Sequence, residues 1–309
     1  MSHTNLPANS QSRILRHCDC RMAHRAHRAI RLAQPVCRWP RSQPYSSNSS
    51  VNPTEVSHFN ALASSWWEPH GSSRLLHLMN PSRHDFISTC FESQAEGPPS
   101  KKLRYLDVGC GGGIFAESAA RLPTTAGVLG IDPSKDVVRV ARTHATHDPL
   151  LLESGRLEYR NESIENLSTP RGPSQQFDVL TLFEVVEHIA HPAPFLSLCL
   201  PFVKPGGWLI LSTIARTWTS WMVTKLIAED IIRLVPRGTH NWGQYLNEEE
   251  LRAWFGNQGG WGGHGAIKNT GVIYVPGYGW KMVKGGQQWG NYFFGIRKHP
   301  EEAALNKDA

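Results

Sequence analysis

The chain has 309 residues, of which 40% are hydrophobic, and a formal net charge of +6 at pH 7. This length allows one α/β domain of about 250 residues with an extension, or two smaller domains. The charge is uneven: residues 1–50 contain eight arginines, no lysine and one acid, a net +7 that leaves −1 for residues 51–309. The near-neutral remainder lacks the basic surface of nucleic-acid-binding proteins, so no nucleic-acid partner is expected. No apolar run reaches membrane-spanning length.

The first 50 residues have the composition of an organelle import sequence. They are rich in arginine, contain serine and nearly lack acids, unlike a secretory signal with its continuous apolar core. We predict a mitochondrial presequence and linker over residues 1–50; a disordered basic tail is the alternative. Beyond the leader, Cys90, Cys110 and Cys199 have no metal-ligand or disulfide spacing, which indicates a reducing compartment.

The remaining chain shows alternating helical and strand patterns. Helices are predicted at 55–67, 75–91, 114–122 and 135–144, and strands at 103–108, 128–131, 157–160, 177–182, 208–212, 267–275 and 292–297. A Lys-Pro-Gly-Gly turn at 204–207 should precede the fifth strand, and the last two strands should close the sheet as a hairpin. This order predicts an α/β fold with a doubly wound, seven-stranded, mostly parallel Rossmann-like sheet, N-terminal helices and a disordered leader.

A glycine loop follows the first predicted strand. The spacing is Asp107-x-Gly109-x-Gly111-x-Gly113, with Ile114 where a dinucleotide-binding loop has its last glycine. Asp132 ends the next strand, where an acid can accept hydrogen bonds from a ribose diol. An acid at the first strand suits a ligand with an ammonium group and no pyrophosphate. The pattern therefore predicts S-adenosylmethionine (AdoMet) and disfavours a nicotinamide dinucleotide.

Further polar residues follow the third and fourth strands, at the edge where ligands bind in such sheets. The position of Glu162 suits a hydrogen bond from adenine, with an ordinary polar turn as the alternative, and Phe183 is expected to pack on the adenine. Glu184, Glu187 and His188 are spaced i, i+3 and i+4, so on a helix they would share one face. Carboxylates suit Mg²⁺, whereas the imidazole also suits a general base. Capping carboxylates beside a packed histidine are the alternative.

A segment with interleaved apolar and charged residues follows the fifth strand. Residues 217–235 contain two tryptophans and several aliphatic side chains at three- and four-residue steps, with four charged residues among them. Such a helix is too short and charged to span a bilayer but suits its interface; packing on a protein core is the alternative. We predict a membrane-binding or lid insertion at 216–240.

Several narrower strings resemble one enzyme family. They are Trp66-Trp67, Asn80-Pro81-x-Arg83, Glu184-x-x-Glu187-His188 and Pro236-x-Gly-Thr-His240, beside the more general glycine loop and Lys-Pro-Gly-Gly turn. Together they are similar to the ubiquinone-biosynthesis O-methyltransferase family over residues 54–298. The resemblance implies an AdoMet-dependent methyltransferase domain at 51–299, followed by a flexible tail at 300–309.

The resemblance also implies substrates and partners. The enzyme would methylate catechol-type hydroxyls of polyprenyl dihydroxybenzoate and of demethylubiquinol, on the matrix side of the mitochondrial inner membrane and within a complex of ubiquinone-biosynthesis proteins. The residues implied as AdoMet contacts are Arg83, Gly109, Asp132 and Phe183, to which the loop analysis adds Asp107, Gly111 and Glu162. Mg²⁺ would be bound by Glu184, Glu187 and His188, with His188 and Glu184 as the catalytic residues.

Two other functions remain open. One is an AdoMet-binding, non-catalytic subunit of the same complex, which the intact acidic residues oppose. The other is a small-molecule methyltransferase with a different acceptor, because the glycine-rich stretch at 257–264 departs from the family pattern.

Overall fold

The computed structural model describes residues 50–300 apart from positions 98, 154, 217–244 and 264. Residues 1–49 of the predicted presequence, the 217–240 part of the insertion and residues 301–309 of the tail lie outside the described residues. In chain order the elements are α1 (Pro53–Leu62), α2 (Arg74–Glu92), β1 (Leu103–Val108), α3 (Ile114–Arg121), β2 (Thr125–Ile131), α4 (Lys135–Ala145), β3 (Leu157–Arg160), β4 (Phe177–Phe183), α5 (Pro192–Cys199), β5 (Val203–Ile214), α6 (Glu248–Gly256), β6 (Ile267–Val275), β7 (Gly279–Val283) and β8 (Asn291–Arg297).

Capping residues determine where several helices begin. The Asn52 side chain accepts a hydrogen bond from the Thr54 amide at 3.0 Å, one residue before the proline that starts α1. Ser134 caps α4 in the same way through the Val137 amide. These side chains satisfy amides that have no partner inside the helix. The start of α4, three residues after Asp132, is thereby fixed beside the glycine loop.

The strands form one sheet with the order β3-β2-β1-β4-β5-β8-β6-β7. The first five of these are parallel, and β8, β6 and β7 are antiparallel. The predicted doubly wound sheet is confirmed, but the prediction of seven strands was wrong. The structure adds β7, a five-residue edge strand paired with β6, because Gly277 and Gly279 have positive φ angles and let the chain reverse there.

The Lys-Pro-Gly-Gly stretch does not precede the fifth strand, contrary to the prediction. It lies inside β5, which runs from Val203 to Ile214, and the pairing with β4 jumps from Val203 to Trp208 across it. Gly206 has a φ of 76° and its amide donates to the Lys298 carbonyl at 3.1 Å. The stretch is therefore a bulge held by the chain after β8.

Alternate side chains of the strands fill two cores, one on each face of the sheet. Tyr105 and Val179 belong to the core covered by α2, α3 and α4, whereas their neighbours Leu106 and Leu180 belong to the core covered by α5 and α6. β4 is buried along its whole length, as its continuous apolar sequence indicates. No helix among the described residues is long and apolar enough to cross a bilayer.

Strand order reverses between β1 and β4, which are neighbours although β2 and β3 separate them in sequence. In open α/β sheets this reversal opens a crevice at the carboxyl ends of the strands. The glycine loop, Asp132 and Glu184 all come directly after strands at that edge.

Candidate active site

The glycine loop is shaped by contacts that a side chain would prevent. Gly109, Gly111 and Gly113 have φ angles of 72°, 53° and 91°. A Cβ at Gly109 would lie 2.6 Å from a methyl of Val185, and one at Gly113 would lie 2.2 Å from the Tyr159 hydroxyl. Both positive φ and close packing therefore require glycine.

Two aspartates, the buried Asp107 and the half-buried Asp132, flank the loop. Asp132 accepts hydrogen bonds from the Gly111 amide at 3.0 Å and the Ser134 amide at 2.8 Å, and Asp107 accepts from the Thr181 hydroxyl at 2.7 Å. Burial raises the pKa of Asp132 to about 6 and that of Asp107 to about 7, against the lowering effect of these hydrogen bonds. Carboxylates of this kind gain from a cationic ligand, which would offset their desolvation.

Arg83 lies opposite these acids, on α2. Its guanidinium carbon is 4.8 Å from the centroid of the Phe183 ring, a cation–π contact. Burial lowers the pKa of Arg83, although Glu184, Asp107 and Glu187 oppose that shift. Its Nε atom is buried and has no hydrogen-bond partner among the described residues. A planar guanidinium with an unused donor suits the carboxylate of an amino-acid ligand.

The tryptophan pair covers the glycine loop from the N-terminal side. The Trp66 ring packs so closely on Gly112 that a Cβ there would lie 2.3 Å from it, and the Trp67 indole donates to the Gly112 carbonyl at 2.9 Å. Trp67 also stacks on His144, with ring centroids 3.4 Å apart. These contacts place both tryptophans against the loop.

Four buried polar atoms on cavity-lining residues lack hydrogen-bond partners in the described part of the chain. They are His58 Nε2, Trp66 Nε1, Arg83 Nε and Glu162 Oε2. An unpaired buried donor or acceptor costs free energy, so such atoms indicate ligand positions. Two donors, a carboxylate and an imidazole fit a ligand with a carboxylate, an ammonium, a ribose and a heteroaromatic base, as AdoMet has.

The segment after β4 differs from its prediction. Residues 186–188 form a short 3₁₀ helix, and Glu184 has a φ of 57°, the single positive value among the described non-glycine residues. Glu184 therefore lies outside any helix, and the prediction that it shares one helical face with Glu187 and His188 was wrong. An L-residue with this φ is strained by about 1–3 kcal/mol. Hydrogen bonds hold Glu184: its amide and Oε1 contact the Ser212 hydroxyl at 3.1 Å and 2.7 Å.

Glu187 and His188 nevertheless face the same cavity as Glu184, each with a different partner. The Thr213 hydroxyl donates to Glu187 at 2.9 Å, and His188 Nδ1 lies 3.0 Å from a carboxylate oxygen of Glu55 on α1. Burial and the charge of Glu184 raise the pKa of Glu187 to about 8. Burial disfavours the imidazolium of His188, but the Glu55 hydrogen bond and the nearby carboxylates raise its pKa above the ordinary value.

These three residues do not form a ready metal centre. Among the described residues, no group of three or more histidine, cysteine, aspartate or glutamate side chains is arranged to hold a metal ion. Glu184, Glu187 and His188 each already engage a protein partner. The donor types suit a divalent cation, but the arrangement does not fit one without rearrangement of these hydrogen bonds.

All ten predicted site residues line one cavity of about 650 Å³. The loop, the aspartates and the Glu184–His188 segment contribute polar groups to its lining. Apolar residues of α2, β6 and β7 also line it, among them Leu75, Met79, Val272, Tyr274 and Trp280. Sequence reasoning missed Glu55 and His58, because nothing local relates α1 to a segment more than 120 residues later.

Comparison with known proteins defines the class first. Residues 77–259 match the family model described as "Methyltransferase domain". The fold is similar to the crystal structure of magnesium protoporphyrin IX methyltransferase from Synechocystis PCC 6803 with bound AdoMet, with a TM-score of 0.51 and 15% identity over 82% of this chain and 100% of that one. The chain thus has the Rossmann-like fold of AdoMet-dependent methyltransferases.

Curated relatives then define the family. The mitochondrial ubiquinone biosynthesis O-methyltransferase of Candida albicans is 36% identical over 81% of this chain and 86% of its own length. That of Schizosaccharomyces pombe is 45% identical over 66% of this chain and 70% of its own length. The chain belongs to the ubiquinone biosynthesis O-methyltransferase family, which confirms the resemblance identified from its motifs.

Proposed function

We propose that this protein transfers a methyl group from AdoMet to a catechol-type hydroxyl on polyprenylated intermediates of ubiquinone, both a polyprenyl dihydroxybenzoate and demethylubiquinol. The observation that carries the proposal is that one cavity is lined both by polar residues around the glycine loop and by apolar residues of α2 and the β6–β7 hairpin. Such a cavity suits a polar methyl donor beside an acceptor with a long apolar tail.

AdoMet supplies an electrophilic methyl group on a sulfonium. The chain's contribution is alignment: in this proposal Arg83, whose guanidinium lies on the Phe183 ring, pairs with the carboxylate, and Asp132 accepts from the ribose. Glu162, with its unpaired buried oxygen, is placed to accept from an exocyclic amine. Fixing donor and acceptor in line accounts for much of the acceleration expected of such a reaction.

His188 is placed to take the proton that the acceptor hydroxyl must lose. When Nδ1 donates to Glu55, the ring nitrogen left as acceptor is Nε2, and the carboxylate stabilises the imidazolium that forms. Glu55 is thus a positioning residue for His188. Glu184, held by Ser212, lies on the same side of the cavity.

We further propose that the reaction requires Mg²⁺. The family resemblance and the donor chemistry of Glu184, Glu187 and His188 support this requirement. The hydrogen bonds that these residues already make to Ser212, Thr213 and Glu55 oppose it. A bound divalent cation would acidify a catechol oxygen. His188 provides a route for the proton that needs no metal ion.

The proposed location is the mitochondrion, as supported by the names of the fungal relatives. Peripheral association with the matrix face of the inner membrane and membership of a biosynthetic complex extend that proposal. The insertion at 216–240 and the presequence are the sequence features that support it.

The test uses purified protein without its first 49 residues, AdoMet and a short-chain dihydroxybenzoate. Methylated product should form, and the Asp132→Ala variant should lose AdoMet binding in calorimetry while its circular dichroism stays unchanged. Undiminished affinity in that variant would refute the cofactor site.

The same assay with a chelator addresses the metal. Activity that is lost with chelator and restored by Mg²⁺ would support the metal site. Activity that survives chelation but disappears in His188→Gln, and falls in Glu55→Gln with its pH profile displaced, would leave His188 as the base without a metal.

A further inference from the structure

One buried imidazole nitrogen in the cavity is left without a function. His58 Nε2 lines the cavity and forms no hydrogen bond with any described residue. A buried polar atom without a partner costs free energy, which a ligand atom bonded to it would recover. The proposed function assigns Arg83 and Glu162 to the carboxylate and the adenine of AdoMet, and the Trp66 ring packs on the glycine loop. His58 is therefore available to the other ligand, the acceptor.

The turn of α1 directs His58 away from the ribose side of the cavity. Asn60, two residues later, accepts a hydrogen bond from the Ser134 hydroxyl at 2.6 Å, and the Ser134 amide donates to Asp132. Residues two apart on an α-helix point about 200° apart around its axis. Because Asn60 faces Ser134 and Asp132, the His58 side chain points away from the proposed ribose position.

The same helix places His58 close to the proposed proton acceptor, His188. Glu55 contacts His188 Nδ1 at 3.0 Å, and residues three apart on a helix, such as Glu55 and His58, are neighbours. The Phe59 ring contacts both imidazoles, with its centroid 5.8 Å from that of His58 and 5.2 Å from that of His188. An acceptor whose hydroxyl meets His188 would thus have another edge of its ring within reach of His58.

The charges in the cavity determine which acceptor group suits His58. Asp107, Glu184 and Glu187 surround Arg83, which is the sole arginine or lysine among the described residues that line the cavity. An anionic substituent of the acceptor would be repelled by these acids, and the proposed function uses Arg83 for AdoMet. A carboxylate on the acceptor therefore needs a hydrogen-bond donor elsewhere, and His58 Nε2 can provide one.

We propose that His58 is a specificity-determining residue whose Nε2 donates a hydrogen bond to the carboxylate of a dihydroxybenzoate acceptor. The inference rests on the proposed function, in which two acceptors use the same cavity. A dihydroxybenzoate carries a carboxylate, whereas demethylubiquinol is a quinol and carries none. His58 thus strengthens the binding of the first acceptor relative to the second and takes no part in the transfer of the methyl group or the proton.

The experiment compares the full chain with His58→Leu, which removes the donor, and His58→Lys, which supplies a cationic donor. The acceptors are a dihydroxybenzoate and a demethylubiquinol with the same short prenyl chain. In His58→Leu the ratio of kcat/KM for the dihydroxybenzoate to that for the quinol should fall about tenfold, through KM, because a hydrogen bond to a charged group is lost. His58→Lys should recover most of that ratio. Calorimetry with S-adenosylhomocysteine bound measures the affinity for the dihydroxybenzoate without turnover.

His70→Leu is the matched control, because His70 is exposed and does not line the cavity. It should behave like the parent with both acceptors. An unchanged ratio in His58→Leu would overturn the inference, as would a lower AdoMet affinity, since His58 would then contact the cofactor. A loss that His58→Lys does not recover would also overturn it, because packing would explain the effect. If the parent methylated neither acceptor but His58→Leu still weakened binding of the dihydroxybenzoate, the proposed function would fail while the carboxylate contact stood.

Discussion

Arg83 is the residue on which the charge balance of the site depends. It is buried beside Asp107, Glu184 and Glu187, whose negative charges favour its guanidinium, while burial disfavours it. The Phe183 ring covers one face of the cation. Burial of an uncompensated charge destabilises the fold, so a buried guanidinium of this kind indicates a role in binding. Its unused Nε donor indicates that the use is a bound anion.

Replacement of Arg83 should therefore reduce cofactor binding more than stability. We expect Arg83→Met to weaken AdoMet at least about tenfold in calorimetry, since one charge-assisted hydrogen bond contributes ~1.5–3 kcal/mol. Arg83→Lys keeps the positive charge but lacks the planar guanidinium, so its AdoMet affinity should lie between those of the parent and Arg83→Met. Equal AdoMet affinity in all three proteins would show that the cofactor carboxylate binds elsewhere.

At the scale of elements, the glycine loop and the segment after α1 form one unit. Trp66 occupies the space that side chains at Gly111 and Gly112 would fill, and Trp67 is hydrogen-bonded to the loop. The loop thus needs glycine for packing against the tryptophans as well as for its φ angles. Gly112 shows the packing effect alone, because no positive φ is found there.

Gly112→Ala should displace Trp66 and disturb the loop. A Cβ 2.3 Å from the indole forces the ring away, at a cost of about 1–3 kcal/mol, and AdoMet affinity should fall with it. Gly256→Ala is the control, since no atom lies within 4 Å of its Cβ and it ends α6. That variant should be as stable as the parent or more so. Urea unfolding and calorimetry on both proteins measure the contrast.

Hydrophobic periodicity and residue spacing predicted the elements whose boundaries depend on nearby residues in the sequence. β1 and β3 begin and end where the sequence indicated, and the glycine loop with Asp132 follows from spacing alone. The 3₁₀ turn at 186–188 was not predictable, because the hydrogen bonds from Ser212 that hold Glu184 come from a different strand. The Glu55–His188 pair spans 133 positions and depends on how α1 folds across the sheet. β7 was missed because five residues between glycines carry little periodicity.

At the scale of the whole molecule, the fold brings acids from separate strands into one cavity. Asp107 is the last but one residue of β1 and Asp132 follows β2, and the parallel register of those strands brings them to the same edge. Burial raises both pKa values, to about 7 and about 6, from ordinary values near 4. In the cofactor-free protein the ionised forms of both carboxyls are therefore disfavoured, and a cationic ligand would stabilise them.

This arrangement predicts how stability without AdoMet depends on pH. Between about pH 4 and 7 the folded protein holds protons on Asp107 and Asp132 that the unfolded chain has released, so their contribution is present at low pH and lost as pH rises through 6 and 7. Asp107→Asn keeps an acceptor for Thr181 but cannot ionise. Its free energy of unfolding should exceed that of the parent more at pH 8 than at pH 5, by on the order of 1 kcal/mol.

Asp148→Asn is the control, because the Arg121 hydrogen bond lowers the pKa of Asp148 and confines its effect to more acid pH. Guanidinium unfolding curves at both pH values measure the difference, and parallel changes in parent and Asp107→Asn would show that Asp107 ionises freely in the folded protein.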